Sequence, residues 1–191
     1  MKKHLSKIWA TQMRYRWSAI RHKHSPKELT PAQYNKYRHL IPNHNSQIIT
    51  TAQQINNRFK YTNDSWDRLY DSIDTPASCV LRTFERPPLR DDCDGFHSAL
   101  YWFVSNSRNY DCRLLTVVTN NIVDSHSLLL IKNRHSEYFY IDYTYQSQLS
   151  KTIPPLVNHI QQRRYDHRHT QIMYSELSFW NNKQWISVKN F

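Results

Sequence analysis

The amino-acid sequence predicts an α+β domain in which helices precede a mostly antiparallel sheet. Three observations point there. Five strand-length segments rich in aliphatic and aromatic residues fall in the second half of the chain, two of them joined by a short polar loop. Upstream of them, apolar residues recur at helical spacing. The 191 residues are 39% hydrophobic, with seven Phe, six Trp and thirteen Tyr, which suits one domain with a sizeable core. Since the chain holds a single glycine, its turns must rely on Asn, Asp, Ser and Pro.

Taken in order, two helices are expected first, over 3–22 and 30–40, split by His24-Ser25-Pro26. Thr30 supplies an N-cap for the second and Pro31 its first helical position. In the first, Leu5, Ile8, Trp9, Met13, Trp17 and Ile20 form an apolar stripe among many lysines and arginines. The polar run Thr50–Asn57 reads as another helix. A further helix begins at Cys93, where Phe96, Ala99, Leu100, Phe103 and Val104 share one face. Strands are then expected over 114–119, 125–132 and 137–143, followed by a helix over 154–164 opened by Pro154-Pro155. Strands over 171–180 and 185–188 would extend the sheet. Residues 1–48 read as a basic helical extension and 49–191 as the main domain.

Cys93 is the candidate chemical centre. It lies in Asp91-Asp92-Cys93-Asp94-Gly95, in the first turn of a helix, where unpaired N–H groups favour thiolate over thiol. Gly95 there either permits a close backbone approach or is a tolerated helix glycine. Two partners follow from hairpin arithmetic. With Asn133-Arg134-His135 as the loop, Lys132 faces Ser136 and His126 falls directly opposite Asp142. A carboxylate there fixes the imidazole tautomer and leaves the other ring nitrogen to act on a thiol. A four-residue loop would instead send Asp142 to the other face.

A cysteine at a helix start inside an acidic motif, then a histidine on one strand and an aspartate on the next, resembles the transglutaminase-like branch of the papain-like cysteine hydrolases. Asn57, Tyr61, Asp64, Trp66, Thr75-Pro76 and Asp92-Cys93-Asp94 extend the resemblance to the bacterial transglutaminase-like cysteine proteinases, over roughly 53–145. The resemblance implies a papain-like core, a Cys93 nucleophile, a His126 general base and an Asp142 orienting carboxylate. It also implies a side-chain amide as second oxyanion donor beside the Cys93 N–H. Asn57 is the expected one, although Gln53, Gln54 and Asn56 offer the same group. Where relatives often carry a second acid two places after the cysteine, this chain has Gly95. Two acids do not supply the six to eight oxygens of a calcium site, so no metal or other cofactor is expected. The expected substrate is a protein or peptide amide, resolved by hydrolysis, deamidation or transamidation.

Charge is uneven. Residues 1–39 hold ten Lys or Arg and one acid, whereas 40–191 hold sixteen and fourteen. The basic segment 1–39 is thus a candidate surface for an acidic partner or nucleic acid, and an inactive scaffold serving as such a binding module is the alternative to an enzyme. The pairs His22/His24 and His167/His169 lack accompanying ligands at zinc spacing. Three cysteines without CxxC pairing suit a reducing compartment, and no apolar run has the length of a membrane span or signal peptide, so a cytoplasmic location is expected.

Overall fold

Thr30 caps helix α1, Pro31–Tyr37, through a reciprocal pair with Gln33, and Pro31 opens the helix as its fixed φ favours. The structure, a computed structural model, describes residues 23, 25–62, 73–121, 124–168 and 170–190. The expected helix over 3–22, the pair His22/His24, and Asp64 and Trp66 lie outside the described residues. A 3₁₀ turn, Arg38–Leu40, ends α1. Helix α2, Asn45–Asn56, starts five residues earlier than the polar run Thr50–Asn57 suggests, because His44 and Gln47 form its capping box. The expected boundary at 48/49 falls inside this helix. Tyr37 and Ile48 belong to the same core as the later helices.

Strand β1, Phe59–Tyr61, pairs in parallel with β2, Leu89–Asp91. Helix α3, Pro76–Phe84, lies between them in sequence and is capped by Thr75. Helix α4, Cys93–Ser105, follows β2 at once, with the Asp92 side chain accepting from the Asp94 N–H at 3.0 Å. The expected apolar face of α4 is buried, but so is every residue from Asp94 to Val104. The helix is enclosed because α2 and α3 cover one side and the sheet the other. Its large side chains, Phe96, Leu100 and Phe103, are fully buried, each worth about 1.5–3 kcal/mol of transfer free energy.

Six antiparallel strands form the sheet: β3 Tyr110–Thr119, β4 His126–Asn133, β5 Tyr138–Asp142, β6 Tyr145–Gln146, β7 Ile172–Trp180 and β8 Trp185–Asn190. Their order is β6-β5-β4-β3-β7-β8, so the last two strands do extend the sheet. Leu114, Leu129, Ile131, Phe139 and Ile141 face the helices α2 to α4. The alternate positions Leu115, Leu128, Leu130, Tyr140 and Leu177 face α5, Pro154–Ile160, and Tyr165 beyond it. The helix expected over 154–164 is α-helical only to Ile160. Gln161–Tyr165 widen into a π turn, and Asp166–Arg168 close it as 3₁₀.

The β4–β5 hairpin turns one residue later than expected. Its ladder pairs Lys132 with Tyr138 and Leu129 with Ile141, and the loop is Arg134-His135-Ser136, with Ser136 at φ 59°. A three-residue loop ending in a left-handed residue is a favoured connection. Moving the loop by one residue moves the register by two. His126 and Asp142 therefore stay on one face, as diagonal rather than direct neighbours.

Gly95 answers to close approach. A Cβ at Gly95 would lie 2.3 Å from Asp91 Cγ and 2.5 Å from its Cβ. Asp91 cannot swing away freely, since Arg82 of α3 holds its carboxylate at 2.9 Å and its backbone is paired to β1. We expect Gly95→Ala to destabilise the fold by about 1–3 kcal/mol, the cost of overpacking a filled interior. Urea unfolding checks this, and an unchanged midpoint would show that Asp91 moves aside.

Candidate active site

Cys93 is the first residue of α4, directly after the Asp92 cap, and its side chain is half-buried. The backbone N–H of Ser127 donates to Cys93 Sγ at 3.3 Å. Ser127 is the neighbour of His126 in β4, so this bond brings thiol and imidazole within one residue of each other. A donor aimed at sulfur, together with the positive end of α4, favours negative charge there.

His126 begins β4 and Asp142 ends β5. His126 Nε2 donates to Asp142 Oδ1 at 2.8 Å, with both side chains no more than 5% exposed. This bond assigns the proton to Nε2 and leaves Nδ1 as the basic nitrogen. Burial pushes the His126 pKa below its ordinary value and the Arg164 charge adds to that, against the opposing pull of Asp142 and Asp92. The imidazole is therefore neutral near pH 7 and able to take a proton. For Asp142, burial alone would raise the carboxyl. The His126 hydrogen bond and the nearby positive charges outweigh it and hold the group well below the usual carboxylate range.

Sequence reasoning missed three residues. Arg163 and Arg164, in the π turn, each donate to Asp142 Oδ2 at 2.7 Å. Arg163 also lies over the Tyr145 ring at 3.8 Å from its centroid. The third, His97, is fully buried one turn after Cys93. Its Nε2 accepts from the Tyr143 N–H at 3.1 Å, so its Nδ1 carries the proton and donates to the Cys93 carbonyl at 2.6 Å. His97 thus ties the Cys93 turn to the residue after Asp142. Burial, with the His126 charge adding to it, lowers its pKa to about 3. The spacing of four residues from Cys93 was the only signal for it in the sequence.

Tyr143 turns the chain from β5 into β6 at φ 53°, in a two-residue connection whose first position favours glycine. A bulky residue there is strained by about 1–3 kcal/mol. Ring contacts with Phe96, His97 and His126 hold it in place. The strain sits beside the site, where its aromatic ring forms a wall.

Asn57 is exposed at the C-cap of α2. Among the described residues no hydrogen bond or ion pair joins it to Cys93, His126 or Asp142. Oxygens of Asp91, Asp92 and Asp94 lie within 4.8 Å of one another and are the residues best placed for a cation. Arg82 already pairs with Asp91, and the Asp92 carboxylate caps α4. A cavity of about 250 Å³ between α5 and β7, lined by Val157, Gln161 and Met173 among others, lies apart from Cys93.

No family model, curated protein or solved structure matches this chain. His126 and Asp142 are joined directly, and Cys93 is joined to the same strand through the Ser127 N–H. The other two thiols are unlike Cys93. Burial pushes Cys79 and Cys112 up, which leaves them protonated and enclosed. Among the described residues no helix is long and apolar enough to cross a membrane.

Proposed function

We propose that the protein is a thiol-dependent amide hydrolase or acyltransferase that acts on a protein or peptide through Cys93, His126 and Asp142. The observation that carries this reading is the buried 2.8 Å bond from His126 Nε2 to Asp142 Oδ1, formed beside a half-buried thiol at a helix start. His126 Nδ1 takes the Cys93 proton as sulfur attacks the amide carbon. The N–H groups at the start of α4 favour the oxyanion, and the same imidazole returns the proton to the departing nitrogen. The acyl-cysteine then passes to water or an amine, which separates cysteine protease, deamidase and transglutaminase-like outcomes. Three free thiols agree with a reducing, cytoplasmic setting.

The test is selective labelling. With iodoacetamide at pH 7, intact-mass and peptide analysis should find Cys93 modified at least about tenfold faster in wild type than in folded His126→Ala, because a positioned base is worth roughly 10²–10⁴. An unchanged Cys93 labelling rate in folded His126→Ala would remove the enzyme reading and leave a binding module on an inactive scaffold.

A further inference from the structure

Consecutive arginines on an α-helix point about 100° apart, yet Arg163 and Arg164 both reach one oxygen of Asp142. They do so from a π turn, Gln161–Tyr165, a local widening that recurs at functional sites. The turn is fastened at both ends. Gln161 bonds the N–H of Ile172 and the carbonyl of Thr170, while the Tyr165 hydroxyl donates to the Asp124 carbonyl at 2.8 Å. Asp142 is thereby divided, with Oδ1 serving His126 and Oδ2 saturated by two guanidinium groups.

We propose that Arg163 and Arg164 are positioning residues, which lock the Asp142 carboxylate with Oδ1 toward His126 and offset part of its charge so that the imidazole stays neutral and ready as a base. This rests on the Cys93–His126–Asp142 reading of the site for its catalytic meaning. Without the pair, a free carboxylate would rotate and its full charge would favour imidazolium. Each arginine spends one nitrogen on the carboxylate, so a point charge suffices and lysine should substitute. The groups facing His126 are Asp142 from β5, His97 and the Asp92 cap from α4, Tyr143 from the β5–β6 turn, and Arg164 from the π turn.

The experiment follows the His126 ring resonances by NMR between pH 4 and 8 in wild type, Arg164→Gln, Arg164→Lys and Arg163→Gln, with thermal unfolding as a check on folding. In Arg164→Gln the His126 midpoint should rise by at least about one pH unit, the effect of an unbalanced carboxylate at hydrogen-bond distance, and Arg164→Lys should restore it. Arg163→Gln should shift it in the same direction. An unmoved midpoint in folded Arg164→Gln would overturn the proposal, as would a shift that lysine fails to reverse. Labelling of Cys93 in the wild type reports separately on the hydrolase reading. A normal His126 shift with an unreactive Cys93 would keep the positioning role and discard the enzyme.

Discussion

Asp142→Asn is expected to cost both reactivity and stability, because one amide oxygen cannot replace two carboxylate oxygens. If it turns toward Arg163 and Arg164, the NH₂ group faces His126 Nε2, and the imidazole must move its proton to Nδ1, where it no longer acts as a base. If it turns toward His126, two guanidinium groups face an NH₂ that cannot accept from them. The first arrangement is favoured, since two charge-assisted bonds outweigh one. The alkylation rate of Cys93 at pH 7 should then fall roughly 10²–10⁴-fold, the usual worth of a general base. Stability should fall by about 3 kcal/mol, the lower end of the cost of breaking a buried charge network, since both arginines are about a third exposed. Alkylation at the wild-type rate in folded Asp142→Asn would rule out the orienting role.

His97 should make the fold labile to acid. Its pKa falls from an ordinary 6.5 to about 3 on folding, so the unfolded chain binds the extra proton. The neutral ring's contribution is therefore full above pH 6.5 and is lost progressively as the pH drops toward 3. At about 1.4 kcal/mol per pH unit, the loss reaches roughly 3 kcal/mol by pH 4 and roughly 5 kcal/mol below pH 3. His97→Gln keeps an acceptor for Tyr143 and a donor for the Cys93 carbonyl but cannot titrate. Urea midpoints measured from pH 7 to 4 should fall more steeply in wild type than in this variant. His126 is also held below its ordinary value and loses stability in the same direction, in both proteins alike. Parallel curves would show that His97 keeps a normal proton affinity.

Much of the local structure was legible in the residues. Thr30-Pro31 and Asp92-Cys93 mark helix starts because caps and first-turn positions depend on neighbours only a few residues away. The β4 and β5 segments show their strands and their shared face, because parity survives a two-residue error in register. Helix α3, by contrast, was not foreseen, although Thr75-Pro76 carries the same kind of start signal. The full enclosure of α4 was hidden too, since His97 and Ser98 look like solvent positions until α2, α3 and the sheet close around them.

By itself, then, the sequence determined the mixed class of fold, the helix that begins at Cys93 and the shared face of His126 and Asp142, all of which follow from short-range periodicity and parity. Only the tertiary structure decided what surrounds them. Arg163 and Arg164 reach Asp142 across 21 and 22 residues, and the Tyr143 N–H reaches His97 across 46. Arg82, from another helix, holds the carboxylate of the Asp91 that lies under Gly95. Neither spacing nor propensity records such contacts, because their distances are set by how the π turn, the helices and the sheet pack together.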